Sequence, residues 1–225
     1  MLLLALDTAT AAVTVAVHDG SRVLAERTEI DARRHAELLA PLVAGVLADA
    51  GATRADLTAI ACGVGPGPFT GLRAGIVTAT VLGHTLGIPV HGVCSLDAIA
   101  EAAAVPADGQ PAGGFVVATD ARRREVYWAR YQPGSGAGPN RVDGPLVSAP
   151  ADVPRAGLPV VGPGGWLYPG LLGPPHPPSQ VPAGALAALA VRALAAGGAG
   201  LLPPQPLYLR RPDAAVPGPR KRVLR

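Results

Sequence analysis

Apolar and polar positions along this chain repeat with two different periods, and the switch between them marks out the elements. Residues 2–7 form a short apolar run suited to a strand buried on both faces. Ala12–His18 is β-branched and apolar, Asp19-Gly20 is a hairpin signal, and residues 22–30 supply a returning strand. From residue 35 the period becomes helical: Leu38, Leu39, Leu42, Val43, Val46 and Leu47 form a stripe over residues 35–50, and Gly51 is placed to end it. Pro41 interrupts that stripe, so the helix either starts near Ala40 or is kinked. Residues 57–64 read as a strand, 71–86 as a helix capped by Thr70, 88–92 as a strand and 95–104 as a helix capped by Ser95.

The order βββαβαβα predicts an antiparallel meander extended by parallel strands, with helices on the faces of the sheet. That is a ribonuclease-H-like lobe, the unit from which actin-like ATPase folds are built. The pattern then restarts. Residues 115–119 form an apolar strand ended by Asp120, and residues 125–131 alternate as a half-buried strand. Asp120 precedes Val126 by the same interval that separates Asp7 from Val13. The expected architecture is therefore α/β, with two related lobes that each carry a mixed sheet and flanking helices. The first spans residues 1–104 and the second, more degenerate, spans 105–212, followed by a basic tail at 213–225. After Gln132 the pattern weakens to a strand near 158–161 and an Ala/Leu helix at 183–196.

Composition supports a packed core: 225 residues, 49% apolar and 16% charged. The 29 glycines and 25 prolines raise a doubt about order only for residues 156–182. The net charge of +3 is uneven, since residues 205–225 carry +5 and leave the rest at −2. The body is therefore no basic nucleic-acid platform, and the tail is expected to attract RNA only non-specifically. Cys62 and Cys94 belong to no ligand motif and read as reduced thiols, which points to the cytoplasm. The apolar start lacks a basic flank and is broken by Asp7, and the stretch 183–202 carries Arg192, so no membrane span is expected.

The most distinctive segment runs from Gly63 to Arg73, a glycine-rich loop between a strand and a helix. Such loops often cradle phosphate. This one has no Walker lysine, and Pro66 and Pro68 lack the N–H groups a cradle needs, which favours a rigid structural turn. Asp7-Thr8-Ala9-Thr10 leaves two readings open. Asp7 caps its turn through backbone N–H groups, or Asp7, Thr8 and Thr10 are the remains of a nucleotide site completed by Gly162 and Gly164. Arg122, Arg123 and Arg124 after Asp120 read as a solvated patch. His18, His35, His84, His91 and His176 show no metal-binding spacing, and Ser95 lacks the glycines of a nucleophile elbow. No catalytic or metal-ligating constellation is visible.

Five segments occur in an order that resembles the TsaB family, a subunit of the bacterial machinery making threonylcarbamoyladenosine in tRNA beside the anticodon. They are residues 4–10 (LALDTAT), 34–37 (RHAE), 65–73 (GPGPFTGLR), 120–128 (DARRREVYW) and 206–210 (PLYLR). Pro68 stands where that family usually has serine. The resemblance implies a glycoprotease-like, actin-fold chain without catalysis or a cofactor of its own. ATP and metal would sit on partner subunits: the catalytic paralogue TsaD and the ATPase TsaE, with tRNA reached through the complex. The isolated chain would be able to form a homodimer. The partner surface is expected on helices 35–50 and 71–86, with His35, Leu39, Val43, Val46, Leu72, Arg73, Ile76 and Thr80 as candidates. The second of these helices is apolar nearly all round, Val77 and Val81 included. Burial of all these side chains in the core is the rival reading of that periodicity. The competing function is an actin-fold small-molecule kinase or ATPase using Asp7 at a metal–nucleotide site.

Overall fold

In the computed structural model, which describes residues 1–104, 113–134 and 138–210, two five-stranded sheets are built on one plan. The first contains Leu3–Asp7 (β1), Ala12–His18 (β2), Val23–Ile30 (β3), Ala59–Gly63 (β4) and Val90–Val93 (β5), in the order β3-β2-β1-β4-β5. His35–Asp49 (α1), Phe69–Leu86 (α2) and Ser95–Ala103 (α3) connect and cover it. The second contains Phe115–Asp120 (β6), Val126–Gln132 (β7), Asn140–Ser148 (β8), Val160–Val161 (β9) and Pro175–His176 (β10), in the order β10-β9-β6-β7-β8. Pro163–Leu167 (α4), Pro169–Leu172 (α5) and Ala183–Ala195 (α6) complete the described α-helices. In each sheet a central strand pairs antiparallel with its hairpin partner and parallel with the crossover strand: β1 with β2 and β4, β6 with β7 and β9. The repeat suggested by Asp7 and Asp120 is thus a repeat of topology. The expected division at 104/105 falls at the edge of a stretch outside the described residues, and the tail from 213 lies wholly outside them.

Alternation along β1 divides its side chains between two cores. Leu4 and Leu6 join Leu39, Val46, Leu72 and Ile76 beneath α1 and α2. Leu3 and Ala5 join Leu96 and Ile99 of α3, Leu186 and Ala190 of α6, and Phe115 and Val117 of β6. Helices α3 and α6 therefore lie between the two sheets, and α6 packs on the first lobe although it follows the second sheet in sequence. A third core, with Val116, Trp128, Val160 and Leu172, lies on the outer face of the second sheet.

Local expectations needed four corrections. Helix α1 begins at His35 and continues through Pro41. Pro41 and Glu37 are both exposed, so the Glu37 carbonyl left without its helical donor faces water. Gly51, at φ 64°, ends the helix, with Gly51 N–H bonded to Ala48 O and Ala52 N–H to Leu47 O. Pro68, not Thr70, occupies the N-cap position of α2, and no side chain caps it. Cys94, not Ser95, occupies the N-cap position of α3, without a side-chain cap, and the Ser95 hydroxyl bonds Asp7 instead. Strand β8, with Gly144-Pro145 at its centre, gave no strand signal; it lies at the sheet edge, where a missing N–H breaks no further ladder.

Candidate functional site

The two strand-end aspartates open equivalent turns on facing lobes. Asp7 Oδ1 accepts from Ala9 N–H at 2.7 Å, and Asp120 Oδ1 accepts from Arg122 N–H at 2.7 Å. From there they diverge. Asp7 is 1% exposed, and its second oxygen accepts from Ser95 Oγ at 2.5 Å, while Ser95 Oγ accepts from Gly65 N–H at 3.2 Å. Burial pushes the Asp7 carboxyl up to about 6, against the Ser95 and Ala9 hydrogen bonds and the nearby His35, which lower it. Asp120 stays at the surface of the cleft and pairs with Arg122 at 3.1 Å.

The glycine-rich loop presses against the Asp7 turn. A Cβ on Gly67 would lie 2.6 Å from Ala9 O, one on Gly71 would lie 2.9 Å from Thr8 O, and one on Gly75 would strike Thr8 Oγ1. Thr8 Oγ1 donates to Gly71 O at 2.8 Å and accepts from Gly75 N–H at 3.1 Å. These glycines exist for close approach of α2 to β1. In the second lobe, Gly162 and Gly164 do the same against Ala118, with Cβ positions 2.7 and 2.8 Å from its atoms. Thr10 closes the gap between lobes by donating to Gln180 Oε1 at 2.8 Å, and Thr10 O receives His35 Nε2–H at 2.9 Å. A nucleotide with its metal does not fit at Asp7: both carboxylate oxygens are bonded inside the protein, and α2 occupies the space beside Thr8 and Ala9. Among the described residues, no group of three His, Cys, Asp or Glu side chains is placed to hold a metal ion. Burial also pushes the Cys62 and Cys94 thiols up to about 12, which makes them poor nucleophiles.

What remains open is the cleft between lobes. One part, about 440 Å³, lies among Thr10, Pro68, Asp120, Arg122, Trp166 and Gln180. A second, about 390 Å³, continues past Thr10 and Pro68 to Thr70, Arg123, Tyr127 and Arg210. The C-terminal segment reaches this cleft by running along the first lobe. Leu207 N–H bonds Val64 O, the Tyr208 ring packs tilted against Phe69 at 4.6 Å between centroids, and Arg210 bonds Ala121 O and pairs with Glu125.

The helices expected to meet a partner divide differently from the candidate list. Leu39, Val43, Val46, Leu72 and Ile76 are core side chains, and His35 is buried against Thr10. Arg73 is exposed but held by Tyr208 Oη at 2.7 Å, and exposed Thr80 donates to Ile76 O. The outward face instead presents Val77 and Val81, each 59% exposed, over a groove of about 820 Å³ shared with Ala40, Ala44 and Ala48 of α1. Their i, i+4 spacing in an all-round apolar helix was the available signal. The sequence offered Ser95 only as a helix cap, with nothing to place it on Asp7, and gave no signal for Gln180.

The model of the family described as TsaD, tRNA N6-adenosine threonylcarbamoyltransferase, matches residues 22–151. The chain belongs to the TsaD/TsaB family. A structure of YeaZ from Pseudomonas aeruginosa is 33% identical, with a TM-score of 0.78 over 92% of this chain and 99% of that one. The Escherichia coli tRNA threonylcarbamoyladenosine biosynthesis protein TsaB is 39% identical over 132 residues, 59% of this chain and 55% of that protein. An uncharacterized Mycobacterium tuberculosis protein is 51% identical over 215 residues, covering 94% of this chain and 92% of its own length. Among the described residues, no helix is long and apolar enough to cross a membrane.

Proposed function

We propose that this chain is a non-catalytic TsaB-type subunit of the machinery that attaches threonylcarbamoyl to the adenosine beside the tRNA anticodon. Its role is to bind and support the catalytic TsaD-type paralogue. The observation that carries the reading is the outward face of α1 and α2, where Val77 and Val81 border an apolar groove that the fold itself leaves uncovered. A helix covering a sheet needs one apolar stripe, which Leu72, Ile76 and Ala79 already supply. The second stripe suits the equivalent helices of a chain built on the same plan, and a second copy of this chain would cover it in a homodimer when the paralogue is absent.

ATP and metal belong, on this reading, to the partner subunits, TsaD and the ATPase TsaE, and tRNA is engaged within the complex. The buried Asp7 and the glycines closed against Thr8 and Ala9 favour this over the kinase reading. The test is co-purification with the paralogue, followed by reconstituted modification. Val77→Arg with Val81→Arg is expected to stay folded by circular dichroism and to lose paralogue binding by at least about 100-fold, because two buried unpaired charges at a contact centre cost several kcal/mol. A folded variant that still binds places the interface elsewhere. Turnover of ATP by the chain alone, lost in a folded Asp7→Ala variant, would restore the kinase reading.

A further inference from the structure

We propose that the cleft between the lobes is a binding site for single-stranded RNA, with phosphates held by the arginines of the β6–β7 turn and a base stacked on Trp166. The inference rests on the preceding reading that the chain serves tRNA modification.

The chemistry is laid out along the cleft. Its inner part is lined by the guanidinium-bearing Arg122, Arg123 and Arg210 and by the hydroxyl groups of Thr10 and Thr70, and no carboxylate is among its lining residues. In the turn itself Arg122, Arg123 and Arg124 stand against Asp120 and Glu125, a local charge of +1 in a body that is −2 outside residues 205–225, and Arg210 from the C-terminal segment raises it to +2. A concave surface of one sign concentrates its field on an incoming phosphate. Arginine suits that role because its planar donors match phosphate oxygens in pairs. Arg122, Arg123 and Arg124 all adopt left-handed backbone angles, φ 62°, 54° and 62°, which side chains other than glycine rarely do. The outer part of the cleft is mixed: Asp120, Arg122, Ser179 and Gln180 line it together with an apolar face in which Trp166 is 47% exposed and Leu167 51% exposed beside Pro68 and Pro163. An exposed aromatic face next to a cationic groove is the combination that holds unpaired nucleotides, by stacking and backbone attraction. The two parts share Thr10, Pro68 and Arg122, so one ligand can occupy both. A free nucleoside triphosphate is the poorer fit. The first-lobe turn that would hold its phosphate chain is closed by α2, and Pro66 and Pro68 offer no N–H.

The test measures binding by the full-length chain of a fluorescent RNA hairpin with an unpaired loop, across a salt series. Tryptophan emission gives a second readout: Trp128 is 4% exposed and bonded to Ser148, so a quench reports on Trp166. Arg122→Gly with Arg123→Gly removes two guanidinium groups while putting glycine where the backbone favours it. It is expected to weaken binding roughly 10-fold or more at low salt and to reduce the salt slope by about 1.4, at about 0.7 per single-strand phosphate contact. Trp166→Ala is expected to abolish the quench and weaken binding on the order of 10-fold. The proposal is overturned if both variants bind like wild type. It is also overturned if only an Arg220→Gln/Lys221→Gln/Arg222→Gln variant loses binding, which would place the contact in the tail. ATP that binds more tightly than the RNA and displaces it would reassign the cleft to nucleotide. Absence of RNA binding by a chain that still captures the paralogue sinks this inference alone, since Val77 and Val81 lie outside the cleft.

Discussion

Asp7 holds its proton more tightly in the folded protein, at about 6 against 3.8 for the free side chain. Its contribution to stability is therefore fully present below pH 3.8 and is lost as the pH rises through 6. At neutral pH the buried carboxylate costs on the order of 3 kcal/mol relative to its protonated form. Asp7→Asn keeps the shape and an acceptor for Ala9 N–H. Urea midpoints should show it up to about 3 kcal/mol more stable than wild type at pH 8, with the gap narrowing towards pH 4; a gap independent of pH refutes the assignment. Gly75 tests the packing against the same turn. Helix propensity alone favours alanine there by about 1 kcal/mol. The Cβ would land on the buried Thr8 hydroxyl, so Gly75→Ala should instead destabilise by about 1–3 kcal/mol. In a Thr8→Ala background the sign should reverse, and a double-mutant cycle that finds the two changes additive would exclude the contact.

Helix α2 illustrates what periodicity conveys about an element and what it omits. Leu72, Ile76, Val77 and Val81 are equally apolar in the sequence, yet Ile76 is 5% exposed and Val77 is 59% exposed. One position of rotation separates a side chain under the sheet from one on the surface. Ile76→Arg or Val46→Arg should therefore unfold the protein, whereas Val77→Arg should leave the thermal midpoint within a few degrees. Scanning calorimetry of the single variants distinguishes them; equal losses would mean that both faces are buried. Strand β8 shows the opposite limit. Its exposed Val142 and Leu146 and its central Gly144-Pro145 erase any alternation, and only pairing with β7 holds it as a strand.

Across the whole molecule, the central core ties both sheets together through α3 and α6. Polar links reinforce it: Arg192 grips Glu101 with bonds of 2.8 and 2.7 Å, and Tyr131 Oη donates to Asp97 at 2.7 Å, where Arg141 also binds at 3.2 Å. Neither lobe can separate without exposing apolar surface of the other. The lobes should accordingly melt in one transition with equal calorimetric and van't Hoff enthalpies, and two resolved transitions would show that the core does not couple them.

Strand and helix periods, the Asp7–Asp120 echo and the ordered family segments were enough to reveal the two-lobed α/β plan. Hydrophobic spacing is a local property, so it survives in a single chain. The missing Walker lysine and the two loop prolines were equally local and already argued against a phosphate cradle. Depth is not local. Whether Val46, Leu72 and Ile76 meet a partner or a sheet depends on where β1 and β4 lie, and that is set by contacts distant in sequence. The same holds for the cap expected at Ser95, whose hydroxyl turned to Asp7, 88 residues away. It also holds for the arginines of the second-lobe turn: all three are exposed, as the sequence suggested, but that Arg122 lines a cleft with Arg210 and Trp166 depends on how the lobes meet.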